Sequence, residues 1–140
     1  MSSGLFDKTT YALGASINFR QLRQDVISSN IANAETPGYK AKKVDFENAL
    51  ARAVDTDGLY KLSIDNPNQY PVGGGSIEDV RADVYDNPDI TVTNDGNTVD
   101  LEHEMANLSK NTILYKAAIE LINKKLATLA YASTEGGGGR

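Results

Sequence analysis

The stretch LEHEMANLSKNTILYKAAIELINKKLATLAYAS, residues 101–133, decides the fold. It contains neither Gly nor Pro. Leu101, Met105, Leu108, Thr112, Tyr115, Ile119, Ile122, Leu126 and Leu129 advance by alternating steps of four and three. That spacing is a heptad seam, and it predicts one long helix that packs against another helix. Leu114, Ala118 and Leu121 widen the seam. Asp100 supplies an N-cap, and Glu102 and Glu104 lie in the first turn, where the helix dipole favours acids. Lys124 and Lys125 come nearer the negative end.

A second amphipathic segment begins the chain, over about Lys8 to Ala34. Ala15, Phe19, Leu22 and Val26 form one apolar row, and Leu13, Ile17, Ile27 and Ile31 form another beside it. Asp7 or Thr9 supplies its N-cap. Gly14 costs about 1 kcal/mol relative to Ala, which a helix of this length absorbs. The segment should stop at Ala34-Glu35-Thr36-Pro37-Gly38-Tyr39. Pro37 drives Thr36 out of helical dihedrals, and Pro-Gly suits a tight turn.

Between these helices the chain reads differently. Residues 41–97 hold three of the four prolines and the run Gly73-Gly74-Gly75. Phe46, Leu50 and Val54 share a face, which predicts a short helix. Leu59–Ile64, Val80–Tyr85 and Ile90–Val92 alternate as short strands do, and Asn94-Asp95-Gly96 is a turn signal. The fold class is therefore mainly α: long N- and C-terminal helices in a coiled-coil-like pair, with a small irregular β-containing middle. The expected units are 1–40, helix and turn; 41–97, an acidic middle; 98–133, the second helix; and 134–140, a flexible tail.

Charge follows the same division. Net charge is +1 over residues 1–40, −6 over 41–97 and 0 over 98–140, which gives −5 for the chain. An acid excess disfavours general attraction to nucleic acid or anionic lipid. No cysteine is present, so disulfides and thiolate metal sites are excluded. No stretch is apolar enough to span a membrane, and no cleavable signal peptide is legible. Export, if it occurs, is expected to use a route without a cleaved leader.

Catalytic signals are weak throughout. His103 is the single histidine. It has Asp100 and Glu104 on its face but no second His or Cys to complete a transition-metal set, so a solvated helix start is the simpler reading. The carboxylates fall in turns without a predicted pocket. The Gly73–Gly75 run lacks the Lys-Ser/Thr and the strand-to-helix frame of a phosphate loop. Lys40, Lys42 and Lys43 read first as a solvated turn and second as a contact to an acidic neighbour. No enzyme activity and no cofactor or metal is expected.

Helix length makes the functional argument. At 1.5 Å per residue each long helix spans roughly 40 to 50 Å, whereas a compact domain of this size is only about 30 Å across. Two helices alone leave much of their apolar faces in water, so other subunits are expected to cover the rest. The competing reading is a self-contained helical binding module, such as an adaptor or an export chaperone.

Two blocks carry a family resemblance. Asn30-Ile31-Ala32-Asn33-Ala34-Glu35-Thr36-Pro37-Gly38-Tyr39-Lys40, followed by Val44-Asp45-Phe46, resembles the N-terminal signature of bacterial flagellar rod, hook and hook-associated proteins. Asp95-Gly96-Asn97-Thr98-Val99-Asp100-Leu101-Glu102-His103-Glu104-Met105-Ala106, with Asn111 and Tyr115 beyond, is similar to the proximal-rod branch of that family. The match covers both helices and their junctions, about two thirds of the chain. The resemblance implies a structural subunit exported by the flagellar type III apparatus without leader cleavage, located in the basal-body rod that crosses the periplasm. It implies that the terminal helices of many subunits form an inner tube with the middle facing outward. It also implies, as partners, copies of the chain itself, other rod subunits, the ring-to-rod adaptor FliE, the ring protein FliF and the export apparatus. On this reading Leu13, Ile17, Phe19, Leu22 and Val26 pack the tube together with the α-helical seam from Leu101 to Leu129. The Ala32–Tyr39 turn and the Asp95–Asp100 junction fix where the chain leaves it, within an assembly motif that also includes Asn30 and Ile31. Leu5-Phe6 is a candidate export signal.

Overall fold

The computed structural model describes residues 7–56, 77, 80–89 and 92–135. The expectations for Leu5-Phe6, for a strand over Leu59–Ile64, for Gly73–Gly75 and for residues 136–140 lie outside the described residues.

The first helix, α1, runs from Lys8 to Ala32. Asp7 caps it: its carboxylate accepts from the backbone N–H and the hydroxyl of Thr10, both at 3.0 Å. Asn33 closes it, donating its backbone N–H to the Ser29 carbonyl at 3.1 Å and its side-chain amide to the same carbonyl at 2.8 Å. A side chain that competes for helix carbonyls ends the helix short of the expected Ala34.

After the turn come β1 (Lys42–Asp45) and α2 (Glu47–Thr56), then β2 (Asp83–Asp86), and finally α3 (Leu101–Glu135). The strand at Lys42–Asp45 is not visible in the local pattern, because its partner lies some forty residues onward. β1 and β2 pair antiparallel, with Lys42 opposite Asp86 and Val44 opposite Val84. A Lys42–Asp86 ion pair and a Tyr85–Asp45 hydrogen bond flank the ladder. Of the expected strands in this region, Val80–Tyr85 appears shifted to Asp83–Asp86. Val92 is not in a strand, and Ile90 and Thr91 lie outside the described residues.

Helices α1 and α3 form an antiparallel hairpin. Lys125 near the end of α3 meets Asp7 at the start of α1, and Asn111 meets Arg20 and Gln24 midway. With 35 residues against 25, α3 outruns α1.

The core lies mostly to one side of this hairpin. Ala41, Val44, Phe46 and Ala53 are buried with Ile27 and Ile77. The Phe46 ring packs 5.1 Å from that of Phe19 and lies beneath the guanidinium groups of Arg23, at 4.6 Å, and Arg20, at 5.6 Å. Cations over a ring face are attracted by its quadrupole. The start of the middle segment, residues 41–53, therefore packs on the helix pair and contributes most of the core. Helix α1 is apolar on two sides: α3 covers one, and β1 with α2 covers the other.

Candidate assembly surface

The two sequence blocks, about sixty residues apart, meet in one knot at the end of α1. Asn97 is its centre, with only 2 % of its surface exposed. Its side-chain amide lies 2.9 Å from the Asn33 carbonyl, 3.0 Å from that of Ala34 and 2.7 Å from that of Thr36. These carbonyls lie in the turn beyond α1, where those of Asn33 and Thr36 also accept from the Thr36 and Tyr39 N–H groups. Its own Oδ1 accepts from the Val99 N–H at 2.8 Å. Gly38 donates to the Asp95 carbonyl at 3.0 Å, and Thr98 to the Tyr39 carbonyl at 3.1 Å. The buried Thr98 hydroxyl accepts from the Ala41 N–H at 2.8 Å.

Two glycines permit this. Gly38 has φ +72° and Gly96 has φ +78°, both in the left-handed region that favours glycine. Asp95 orders the second turn: it accepts from the Thr93 hydroxyl and the Asn97 N–H, which together hold its carboxyl below the usual range. Asp100 then caps α3 by accepting from the His103 N–H at 3.1 Å. Thr36 also donates its hydroxyl to Asn33 at 3.2 Å. Ala32 and Pro37 are exposed, and Ile31 and Val99 are half-buried.

Asn30 ties the same end of α1 to the sheet and is completely buried. Its Oδ1 accepts from the Lys42 N–H at 2.9 Å and the Tyr39 hydroxyl at 3.2 Å. Its Nδ2 donates to the Lys42 carbonyl at 2.8 Å. Glu104 of α3 is buried beside it. Burial raises the Glu104 carboxyl above its usual range, against a lowering by the hydrogen bond with Asn30.

The helix seam has a register that apolar spacing does not reveal. The row of α3 turned to α1 is Glu104, Asn111, Ala118 and Lys125, one residue every seven. The first three are buried, and Lys125 holds Asp7. Leu108, Tyr115, Ile122 and Leu129 flank it, half-buried. The other half of the expected seam, Met105, Thr112, Ile119 and Leu126, follows one position later, a rotation of about 100°. Along it Met105 is 55 % exposed and Leu126 38 %, and Leu101 near the helix start is 45 % exposed. On α1, Leu13, Ile17, Phe19 and Val26 are half-buried and Leu22 is exposed. None of these expected packing residues is fully buried.

Large apolar side chains also lie open elsewhere on α3: Ile113 at 68 %, Leu121 at 57 % and Tyr131 at 63 %. Glu104 and Asn111 escaped the apolar reading because they are polar. The seven-residue spacing from Glu104 to Lys125 was their one detectable signal. No helix among the described residues is long and apolar enough to cross a membrane.

The family described as "Flagella basal body rod protein" matches residues 13–40, which contain most of α1 and the turn. The flagellar basal body rod protein FlgB of Aeromonas hydrophila is 33 % identical over 127 residues, covering 91 % of this chain and 93 % of that protein. FlgB of Bacillus subtilis is 34 % identical over 138 residues, covering 94 % and 98 %. FlgB of Salmonella typhimurium is 30 % identical over 116 residues, covering 79 % and 81 %.

Proposed function

The chain belongs to the FlgB family of flagellar basal body rod proteins, and from that membership we propose that it polymerises through its terminal helices into the proximal rod, transmitting torque and enclosing the export channel. As a member it is a structural component of the basal body that associates with other rod components. The finer partners in this reading are copies of itself, the adaptor FliE, the ring protein FliF and, during secretion, the export apparatus. Its passage needs no cleaved signal peptide.

One observation carries the proposal. The α1–α3 hairpin spends a polar and small row of α3 on its own contact and leaves Leu101, Met105, Leu121 and Leu126 open. Each such side chain contributes roughly 1.5 to 3 kcal/mol when a neighbour covers it. The Met105–Leu126 row adjoins the flank Leu101–Leu108–Tyr115–Ile122–Leu129, so a second helix can pack against α3 without displacing α1. The Asn97 knot and the Asn30–Lys42 pairing then fix the angle at which the middle leaves the helices. A self-contained adaptor or chaperone would need this row covered within the chain.

The test uses residues that the folded chain does not need. Met105→Asp and Leu121→Asp should leave the helicity of the purified protein unchanged while abolishing rods and swimming. Normal rods in both variants would overturn the proposal.

A further inference from the structure

We propose that the cleft between α1, β1 and α3 is a socket for an acidic side chain from the middle segment of a second copy of this chain. The inference rests on the assembly reading above and adds to it a polar contact with a defined partner. The cleft encloses about 360 Å³ and is lined by Val26, Ile27 and Leu114 together with Arg20, Lys110 and Asn111.

Its cations divide into two groups. Arg23 is engaged by Glu47 and by the Val44 carbonyl at 2.6 Å. Lys42 pairs with Asp86, and Lys43 lies 3.6 Å from Asp89. Arg20 and Lys110 form no ion pair among the described residues, although the Glu47 charge acts on Arg20 through space. Arg20 rests against the Phe46 ring, and its Nη1 is shielded from solvent without an acceptor. A shielded donor that lacks an acceptor forfeits the hydrogen bonds it made to water, which an incoming carboxylate would restore. Glu104, the buried carboxyl on this wall, is already committed to Asn30. The apolar wall suits the aliphatic stem of the incoming side chain or its neighbour.

Charge identifies the occupant. Residues 41–97 carry a net −6, the one strongly acidic region of the chain. Their own acids on the cleft wall, Asp45, Glu47 and Asp89, lie against Arg23 and Lys43, and Asp86 beside the cleft holds Lys42. Asp83 on β2 stays exposed. Complementary charge across an interface selects the partner and fixes the register, and like charge rejects it.

The experiment exploits a chain without cysteine. Lys110 is exposed, so Lys110→Glu should leave the circular dichroism of the purified chain unchanged and lower rod number in cells by about tenfold or more. In isolated basal bodies, Lys110→Cys is combined in turn with cysteine at Asp57, Asp65, Glu78, Asp79 or Asp83. Mild oxidation should give a disulfide-linked dimer for at least one pair. Normal rod number with Lys110→Glu would overturn the socket. So would a loss of rods with no dimer for any pair, or with cross-links only within one chain or to another protein. If Met105→Asp and Leu121→Asp abolish rods but Lys110→Glu does not, the socket fails while the assembly reading stands. If those two variants assemble normally, the assembly reading itself fails.

Discussion

Asn30, on a helix, and Lys42, on a strand, pair as two strand residues do: the side-chain amide of one exchanges both hydrogen bonds with the backbone of the other, at 2.8 and 2.9 Å. The edge of β1 that faces away from β2 is thereby closed by α1. A fully buried amide that satisfies a backbone N–H and a carbonyl leaves both unpaired when it is removed. Asn30→Ala should cost about 3 kcal/mol, read from urea unfolding. A loss below about 1 kcal/mol would show that water replaces the amide.

Asn97 allows a sharper chemical test. Its Nδ2 faces three carbonyl oxygens. Asn97→Asp keeps the shape and the acceptor for the Val99 N–H but sets an anion against those oxygens. It should destabilise the chain by at least about 3 kcal/mol and by more than Asn97→Ala, as measured by thermal unfolding at neutral pH.

The glycine pair separates dihedral cost from crowding. A Cβ on Gly96 would lie 3.6 Å from the Gly38 Cα, an ordinary contact, and one on Gly38 would meet nothing. The penalty is therefore conformational at both positions. Gly38→Ala and Gly96→Ala should each cost about 1 to 2 kcal/mol, and nearly equally. A much larger loss at Gly96 alone would mean that the two turns pack more tightly than this geometry.

Acid should loosen the hairpin in a defined window. The Asp7 carboxyl is lowered to about 2, chiefly by its hydrogen bond from Lys125 and then by the Thr10 N–H. At Glu47, burial acts to raise the value, but Arg23 and backbone N–H groups outweigh it and bring the carboxyl to about 2. A depressed folded value means that stability is fully present above the ordinary values of 3.8 and 4.5 and is lost as pH falls toward about 2. Asp7→Asn with Glu47→Gln should flatten that limb of a Tm against pH profile.

Glu104 has the opposite sign. Burial raises its carboxyl, so the folded chain favours the neutral form. Its contribution is present at low pH and is lost as pH rises through the folded value. Glu104→Gln keeps a neutral partner for Asn30. It should raise Tm at pH 7 and have a smaller effect at pH 4, by circular dichroism. An equal gain at both values would mean that the carboxyl is not the cause.

Periodicity and local chemistry announced the two long helices, their caps at Asp7 and Asp100, the Pro37-Gly38 break and the turn at Asp95-Gly96. These follow from short-range rules of spacing, dihedral preference and capping, which need no knowledge of the rest of the chain. The heptad on α3 was legible too, but not which of its rows α1 would take. Glu104 and Asn111 face the partner because their polar atoms find Asn30, Arg20 and Gln24 there. That matching depends on the register of two helices, and apolar spacing does not encode it. The same limit hid the strand at Lys42–Asp45, the packing of Phe46 beneath two arginines, and the meeting of Asn97 with the end of α1. Each joins groups far apart in the chain, and their hydrogen bonds and ring contacts form only once the backbone has brought them within reach.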